Sequence, residues 1–253
     1  MKVTIPFLSI QANKYKSELN YWRGEHPHLR RWFAGQEDWW GVKPLDQTVI
    51  RRSWHQWEVD AVMHLHHLRP NYYEELQLDG GHFAGKRVLE VGCGPLCPVL
   101  QFKNCEPYCL DPLIDMYINE AGWPMYEYPV KLINSHAEEM PFPDNYFDAV
   151  ISVNALDHVD DFGQTAKEIY RVLRPGGTVH FEIEYHAPRR NEPQSLTTSK
   201  VLDAFYNLDM ALVLERTGAE MFKAQVGRFG LLSKNISHFN DVDRFATWSG
   251  TKR

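Results

Sequence analysis

Apolar and polar positions keep one rhythm up to about residue 80 and another beyond it. Lys14–Trp22 and Ser53–Leu68 carry apolar residues at helical spacing, and in the second Trp54, Trp57, Ala61, Leu65 and Leu68 fall at i, i+3, i+7, i+11 and i+14. Pro70 stands where that helix should stop. Between the two, Gly24–Pro44 holds Gly, Pro and His and predicts loop and short turns. After Asp79-Gly80-Gly81, short apolar runs predict strands at Lys86–Val91, Tyr108–Leu110, Lys131–Ile133, Phe147–Val153 and Thr178–Ile183. A helix is predicted at Asp161–Leu173. Asp161 can cap it, Phe162, Ala166, Ile169 and Leu173 share a face, and Arg174-Pro175-Gly176-Gly177 ends it. Strands alternating with helices predict an α/β fold with a doubly wound, mostly parallel sheet over 81–253, preceded by a helical region over 1–80.

Composition narrows the possibilities. The chain has 253 residues and a formal charge of −6, against the basic footprint of a general nucleic-acid binder. No apolar run approaches the roughly 18–20 residues that span a bilayer. Val3–Ile10 is short and broken by Pro6, so no secretory leader is expected and the cytoplasm is the expected location. Six of the 8 Trp lie early, at 22, 32, 39, 40, 54 and 57, which sets the region before the sheet apart.

The candidate chemistry centres on the turn after the first predicted strand. A glycine-bearing turn between strand and helix lets a ligand approach the backbone closely, and dinucleotides and S-adenosylmethionine both use one. Gly92-Cys93-Gly94-Pro95-Leu96-Cys97 lacks the third glycine of the dinucleotide fingerprint. Glu90, two residues before the turn, would repel a pyrophosphate but suit a cofactor bearing an ammonium group.

Val88-Leu89-Glu90-Val91-Gly92-Cys93-Gly94-Pro95 resembles the first motif of class I S-adenosylmethionine-dependent methyltransferases. Four further segments resemble that family in order and spacing: Asp111 at the end of the next strand, Ala137–Asp144, Tyr146–Val159, and Glu168–Gly177 with its Arg-Val-Leu-Arg-Pro-Gly-Gly. Together they cover about 84–185. The resemblance implies a Rossmann-like, seven-stranded sheet that binds S-adenosylmethionine. It assigns Glu90 to the methionine amino end, Gly92 and Gly94 to close backbone approach, and Asp111 to the ribose. It sets Ala137 and Glu138 beside the adenine and Asn154 near the methionine portion. Cys93, Pro112 and His136 adjoin these and complete the candidate cofactor set. Leu96 replaces the family's frequent third glycine, and His136 its frequent aspartate.

Methyl transfer from a sulfonium is an in-line displacement in which the protein chiefly positions the acceptor; a hydroxyl or amine acceptor can also need a base. His158, after the fourth strand, is the candidate base, with Asp157 beside it as an orienting or acceptor-contacting group. His186, just past the fifth strand, is a third catalytic candidate. Arg189 and Arg190 could hold an acidic group of the substrate. The plainer readings are packing for the histidines and a solvated loop for the arginines. The early aromatic residues either pack on the sheet or wall an acceptor pocket; Tyr15, Tyr21, Trp22, Arg30 and Arg31 are the candidate contacts. His64, His66 and His67 lack the spacing of a metalloprotease helix. Cys93, Cys97, Cys105 and Cys109 have a spacing that invites zinc, but their places on the turn and next strand favour reduced, buried thiols, so no metal is expected.

The expectation is a methyltransferase with S-adenosylmethionine as cofactor and a small or medium-sized acceptor, such as a hydroxyl of a carbohydrate or natural-product intermediate. The alternatives are a non-catalytic S-adenosylmethionine-binding protein, a protein or nucleic-acid methyltransferase, and a nicotinamide-dependent enzyme.

Overall fold

A computed structural model describes residues 6–39, 43, 57–68, 71–189, 192–217, 220 and 244–253, without the side chains of 6–13, 57 and 71. Trp40, Trp54, Pro70 and Arg190 lie outside the described residues, as does the side chain of Trp57. Three helices come first: α1 Pro6–Phe33, α2 Trp57–Leu68 and the short α3 Asn71–Glu75. Strands β1 Arg87–Val91, β2 Glu106–Leu110, β3 Lys131–Ile133, β4 Phe147–Val153, β5 Leu173–Tyr185, β6 Leu208–Thr217 and β7 Arg244–Lys252 make one sheet in the order β3-β2-β1-β4-β5-β7-β6. The first five run parallel, and β7 lies antiparallel between β5 and β6. Helices α4 Ile114–Asn119, α5 Phe162–Val172 and α6 Thr198–Ala204 fall between strands. The strand order reverses between β1 and β4, where doubly wound sheets open a crevice at their carboxyl ends.

Alternation along the strands sends successive side chains to opposite faces. Val88, Cys109, Ala149 and Ile151 face a layer holding Leu19, Leu29 and Trp32 of α1 with Ala61 and Leu65 of α2. Leu89, Val150 and Phe181 face Phe162, Ala166 and Ile169 of α5 with Val201 of α6. The region before the sheet therefore shares a continuous apolar core with it. Trp32 and Trp39 are buried there, their indole nitrogens donating to the Lys43 carbonyl and to Glu25.

The predicted loop over Gly24–Pro44 is corrected in its first part. Helix α1 continues through Gly24 and Pro27 to Phe33. Leu29, Trp32 and Phe33 at its end are buried, and that packing outweighs two residues that disfavour helix. In α2, Ala61 and Leu65 are buried as their spacing predicts, but Leu68 is exposed. Asp161 caps α5 by accepting the Gln164 amide, 2.9 Å away. Beyond α5 the chain enters β5 at once, so that strand begins earlier than the pattern predicts.

A second correction lies at the turn after β1. The helix expected behind Gly92–Gly94 is replaced by two short 3-10 turns, Gly94–Leu96 and Pro98–Gln101. Pro95 and Pro98 lack amide hydrogens, and Cys97 between the turns has φ 49°, a left-handed residue that α-helix does not accommodate.

Candidate active site

The turn after β1 is held by its own backbone and by one carboxylate. Gly92 has φ +73°, and a Cβ there would collide with the Cβ of Ala155, so only glycine fits. The Gly92 amide donates to the Leu110 carbonyl at 2.8 Å. The Gly94 amide donates to Asp111 Oδ2 at 3.1 Å, and the Leu113 amide to Asp111 Oδ1 at 2.9 Å. Asp111 is thus fixed at the end of β2, facing the turn. Burial pushes its carboxyl up to about 7, and its two amide donors oppose that rise. Pro112 follows it, partly buried. Asn154, left-handed at φ 50°, lies across the crevice after β4, its amide on the Glu182 carbonyl.

Glu90 is 0% exposed and turned into the core facing α1 and α2. Its Oε2 accepts the Val99 amide at 2.9 Å and lies 3.5 Å from Cys109 Sγ, and the Tyr72 hydroxyl lies beside the carboxyl. Burial, with the charge of Cys97 adding, raises this carboxyl to about 8. Cys93 is buried beside Cys97 and Cys109, and the three sulfurs lie within 4.8 Å of one another.

Helix α1 lies over this crevice. A Cβ on Gly94 would come within 3.3 Å of Trp22 Cζ2. Trp22 is steadied by Glu18, which accepts its indole hydrogen at 2.8 Å, and by an edge contact with Trp123, centroids 5.9 Å apart. Tyr15 reaches His136, hydroxyl to Nδ1 3.1 Å. Burial and the charges of Asp160, Glu138 and Asp111 push its phenol up. Lys14 donates to the His158 carbonyl and lies 3.2 Å from Asp160 Oδ1. Ala137 is buried, and Glu138 accepts the amides of Asp160 and Asp161 at 2.7 and 3.0 Å, tying its loop to the start of α5.

Beyond β4 and β5 the polar residues hold one another. His186 Nε2 is 3.4 Å from Asp157 Oδ2 and 3.5 Å from Glu192 Oε2. Glu192 Oε1 is 3.9 Å from His158 Nε2, and Arg189 bridges Glu192 and Glu184 at 2.9 and 2.8 Å. Asp157 and His186 side chains are 0% and 1% exposed; that of His158 is 26% exposed. The Asp157 carboxylate raises His186 to about 9, with the Ala187 carbonyl and Glu192 adding to the rise against burial. A histidine raised in this way favours its protonated form near neutral pH. Of the three catalytic candidates, His158 has the most exposed side chain, although its Nε2, the nitrogen nearer Glu192, is itself buried.

The remaining sequence candidates divide. Tyr15 and Trp22 stand at the crevice, while Tyr21 is exposed with its ring on the far side of a contact with Trp22. Arg30 pairs with Glu58 and Arg31 with Glu37. Those arginines sit roughly 22 Å along the helix axis from Tyr15, at about 1.5 Å per residue. Glu192, Glu18 and Lys14 went unnamed in the sequence reading. Glu192 falls in the polar loop after β5 and could have been reached from there; Lys14 gave no local signal.

A family model described as "Methyltransferase domain" matches residues 89–181. The chain is 34% identical over 99 residues to a sterol 24-C-methyltransferase (erg6) of Aspergillus fumigatus, a stretch covering 37% of this chain and 26% of that protein. It is 52% identical over 48 residues to a demethylmenaquinone methyltransferase of Listeria welshimeri, 19% of this chain and 20% of that one. The chain therefore spans a third or less of these relatives' length. Among solved structures it is similar to a phosphoethanolamine N-methyltransferase 2 of Haemonchus contortus in complex with S-adenosyl-L-methionine. That likeness has a TM-score of 0.56 and 17% identity, over 83% of this chain and 62% of that one. It is also similar to the YcgJ protein of Bacillus subtilis, with a TM-score of 0.51 and 18% identity, over 74% of this chain and 99% of that one. At these identities the structures attest the fold.

Proposed function

From the premise that residues 89–181 are a methyltransferase domain in a class I fold, we propose that this chain transfers a methyl group from S-adenosylmethionine to a small or medium-sized acceptor. A hydroxyl of a carbohydrate or natural-product intermediate suits the site. The observation that carries the reading is the acidic crevice at the sheet's switch point: Asp111, Glu18, Glu138 and Asp160 converge around Tyr15 and the Gly92–Gly94 turn. Such a lining attracts a cation and opposes a pyrophosphate, which favours a sulfonium cofactor over a dinucleotide. The bound cofactor supplies an activated methyl group.

The chain's own residues supply position and proton handling. Asp111 accepts from ribose hydroxyls, and the glycines leave backbone open to the ligand. Trp22 and Tyr15 exclude water from above. His158 takes the acceptor's proton through its other ring nitrogen as the new bond forms, and Glu192, beside the buried Nε2, steadies the resulting imidazolium. Asp157 and the protonated His186 act through Glu192 and are positioning residues. The relatives' names span a sterol, a demethylmenaquinone and phosphoethanolamine, so they carry no single acceptor across to this chain.

The test is a screen of metabolite pools with methyl-labelled S-adenosylmethionine, alongside thermal shifts with S-adenosylhomocysteine and NAD. Label should pass to an acceptor, and S-adenosylhomocysteine should raise the melting temperature through selective binding to the folded state. Stabilisation by NAD and not by S-adenosylhomocysteine would overturn the reading.

A further inference from the structure

Three of the four cysteines, all within one 17-residue stretch, meet in the core below the turn after β1. Cys93 comes from the turn itself, Cys97 from between the two 3-10 turns, and Cys109 from β2. They are 4%, 0% and 0% exposed, unpaired as disulfides, and their sulfurs all lie within 4.8 Å of one another. Sulfurs bound tetrahedrally to zinc at about 2.3 Å stand roughly 3.8 Å apart, so the observed spacing needs to close by about 1 Å or less. Glu90 borders the same space, 3.5 Å from Cys109 Sγ, its carboxyl fully buried with the Tyr72 hydroxyl beside it. A carboxylate enclosed in the core is costly, and a cation offsets that cost. Glu90 Oε2 is steadied by the Val99 amide, as the outer oxygen of a metal-bound carboxylate commonly is.

We propose that Cys93, Cys97 and Cys109 bind a zinc ion, with Glu90 Oε1 at the fourth position. The three thiols and the Glu90 carboxyl release their protons to solvent as the ion binds, giving three thiolates and one carboxylate, the charge of a four-thiolate structural site. With four protein ligands the ion is a clasp rather than a reaction centre. It ties the turn and both 3-10 turns to β2, fastening a loop that here lacks the longer helix expected behind it. Cys105 stands apart, its thiol toward the Phe102 carbonyl at 3.7 Å, and takes no part.

The test is metal analysis of the full chain purified without chelator, with cobalt titration of the metal-free protein as a second readout. About one zinc per chain is expected, falling to near zero in Cys97→Ser and Cys109→Ser and unchanged in Cys105→Ser. Cobalt should give the near-ultraviolet charge-transfer band of bound thiolates in wild type and in Cys105→Ser. The cobalt titration needs no folded core-cysteine variant, so it decides the matter if the serine variants do not fold. Absence of both zinc and the cobalt band overturns the site, as does a native mass two hydrogens light from a disulfide among these cysteines. The result is independent of methyl transfer, because neither readout uses S-adenosylmethionine.

Discussion

At the carboxyl ends of β1 and β2 the site is made largely of main chain. The Gly92 and Gly94 amides, the left-handed turn and the amides fixed on Asp111 set its shape. At the ends of β4 and β5 it is made of side chains that hold one another: Asp157 with His186, Glu192 between His186 and His158, and Arg189 on Glu192. The first construction fixes a surface that one type of cofactor can use. The second can change by single substitutions without altering the fold, which suits the part of a transferase that meets a variable acceptor. In such a division, damage at one end should leave the other largely working.

The sharpest test of that division is His158→Ala. Turnover should fall by about 10²–10⁴, the usual worth of a positioned base, with S-adenosylhomocysteine affinity unchanged by calorimetry. Equal loss of both would join the two regions into one. Next, Asp111→Ala should weaken S-adenosylhomocysteine by about 10–100-fold, the worth of hydrogen bonds to a charged group at ~1.5–3 kcal/mol. Saturating cofactor should restore much of the turnover; failure to recover would place Asp111 in the acceptor region as well.

A smaller effect is expected from His186. Folding raises its pKa to about 9, against ~6.5 in an unfolded chain. A raised histidine contributes its stability in full below about 6.5 and loses it as pH climbs toward 9. The melting temperature should therefore decline across that window, and His186→Gln should flatten the decline. Smallest are Arg30→Ala and Arg31→Ala. Their exposed ion pairs with Glu58 and Glu37 are worth ~1 kcal/mol at most, so stability and turnover should barely change. A large loss of turnover would extend the acceptor region along α1 to its end.

The same division explains how much was legible in the sequence. The turn at Gly92–Gly94 and the Asp111 carboxylate that receives its amide were readable because the turn's shape is written in a few consecutive residues and the next strand follows at a near-fixed distance. The capped α5 was readable for the same local reason, through Asp161. Meetings across the chain left no such mark. Lys14 meets His158 across 144 positions, and Glu192 reaches back to His158. Gly24 and Pro27 misled because residue preferences weigh against helix, while burial of Leu29 and Trp32 decides for it. Pro95 and Pro98 are visible in the sequence, but a glycine-bearing turn after a strand carries the expectation of a helix behind it. Strand β7 was missed as a separate element because its place between β5 and β6 depends on pairing with distant partners.

The indole of Trp22 packed at Gly94 has a consequence for timing. A ligand that settles on the Gly94 backbone has that ring as a neighbour, and the ring is anchored through Glu18 and Trp123. If such a ligand is exchanged there, part of α1 has to lift, breaking the hydrogen bond that the Trp123 indole donates to the Trp22 carbonyl and the aromatic contact between the two rings. The cycle acquires a slow step unrelated to any bond made to the acceptor. Trp22 also becomes its own reporter, since its emission should change each time the crevice opens.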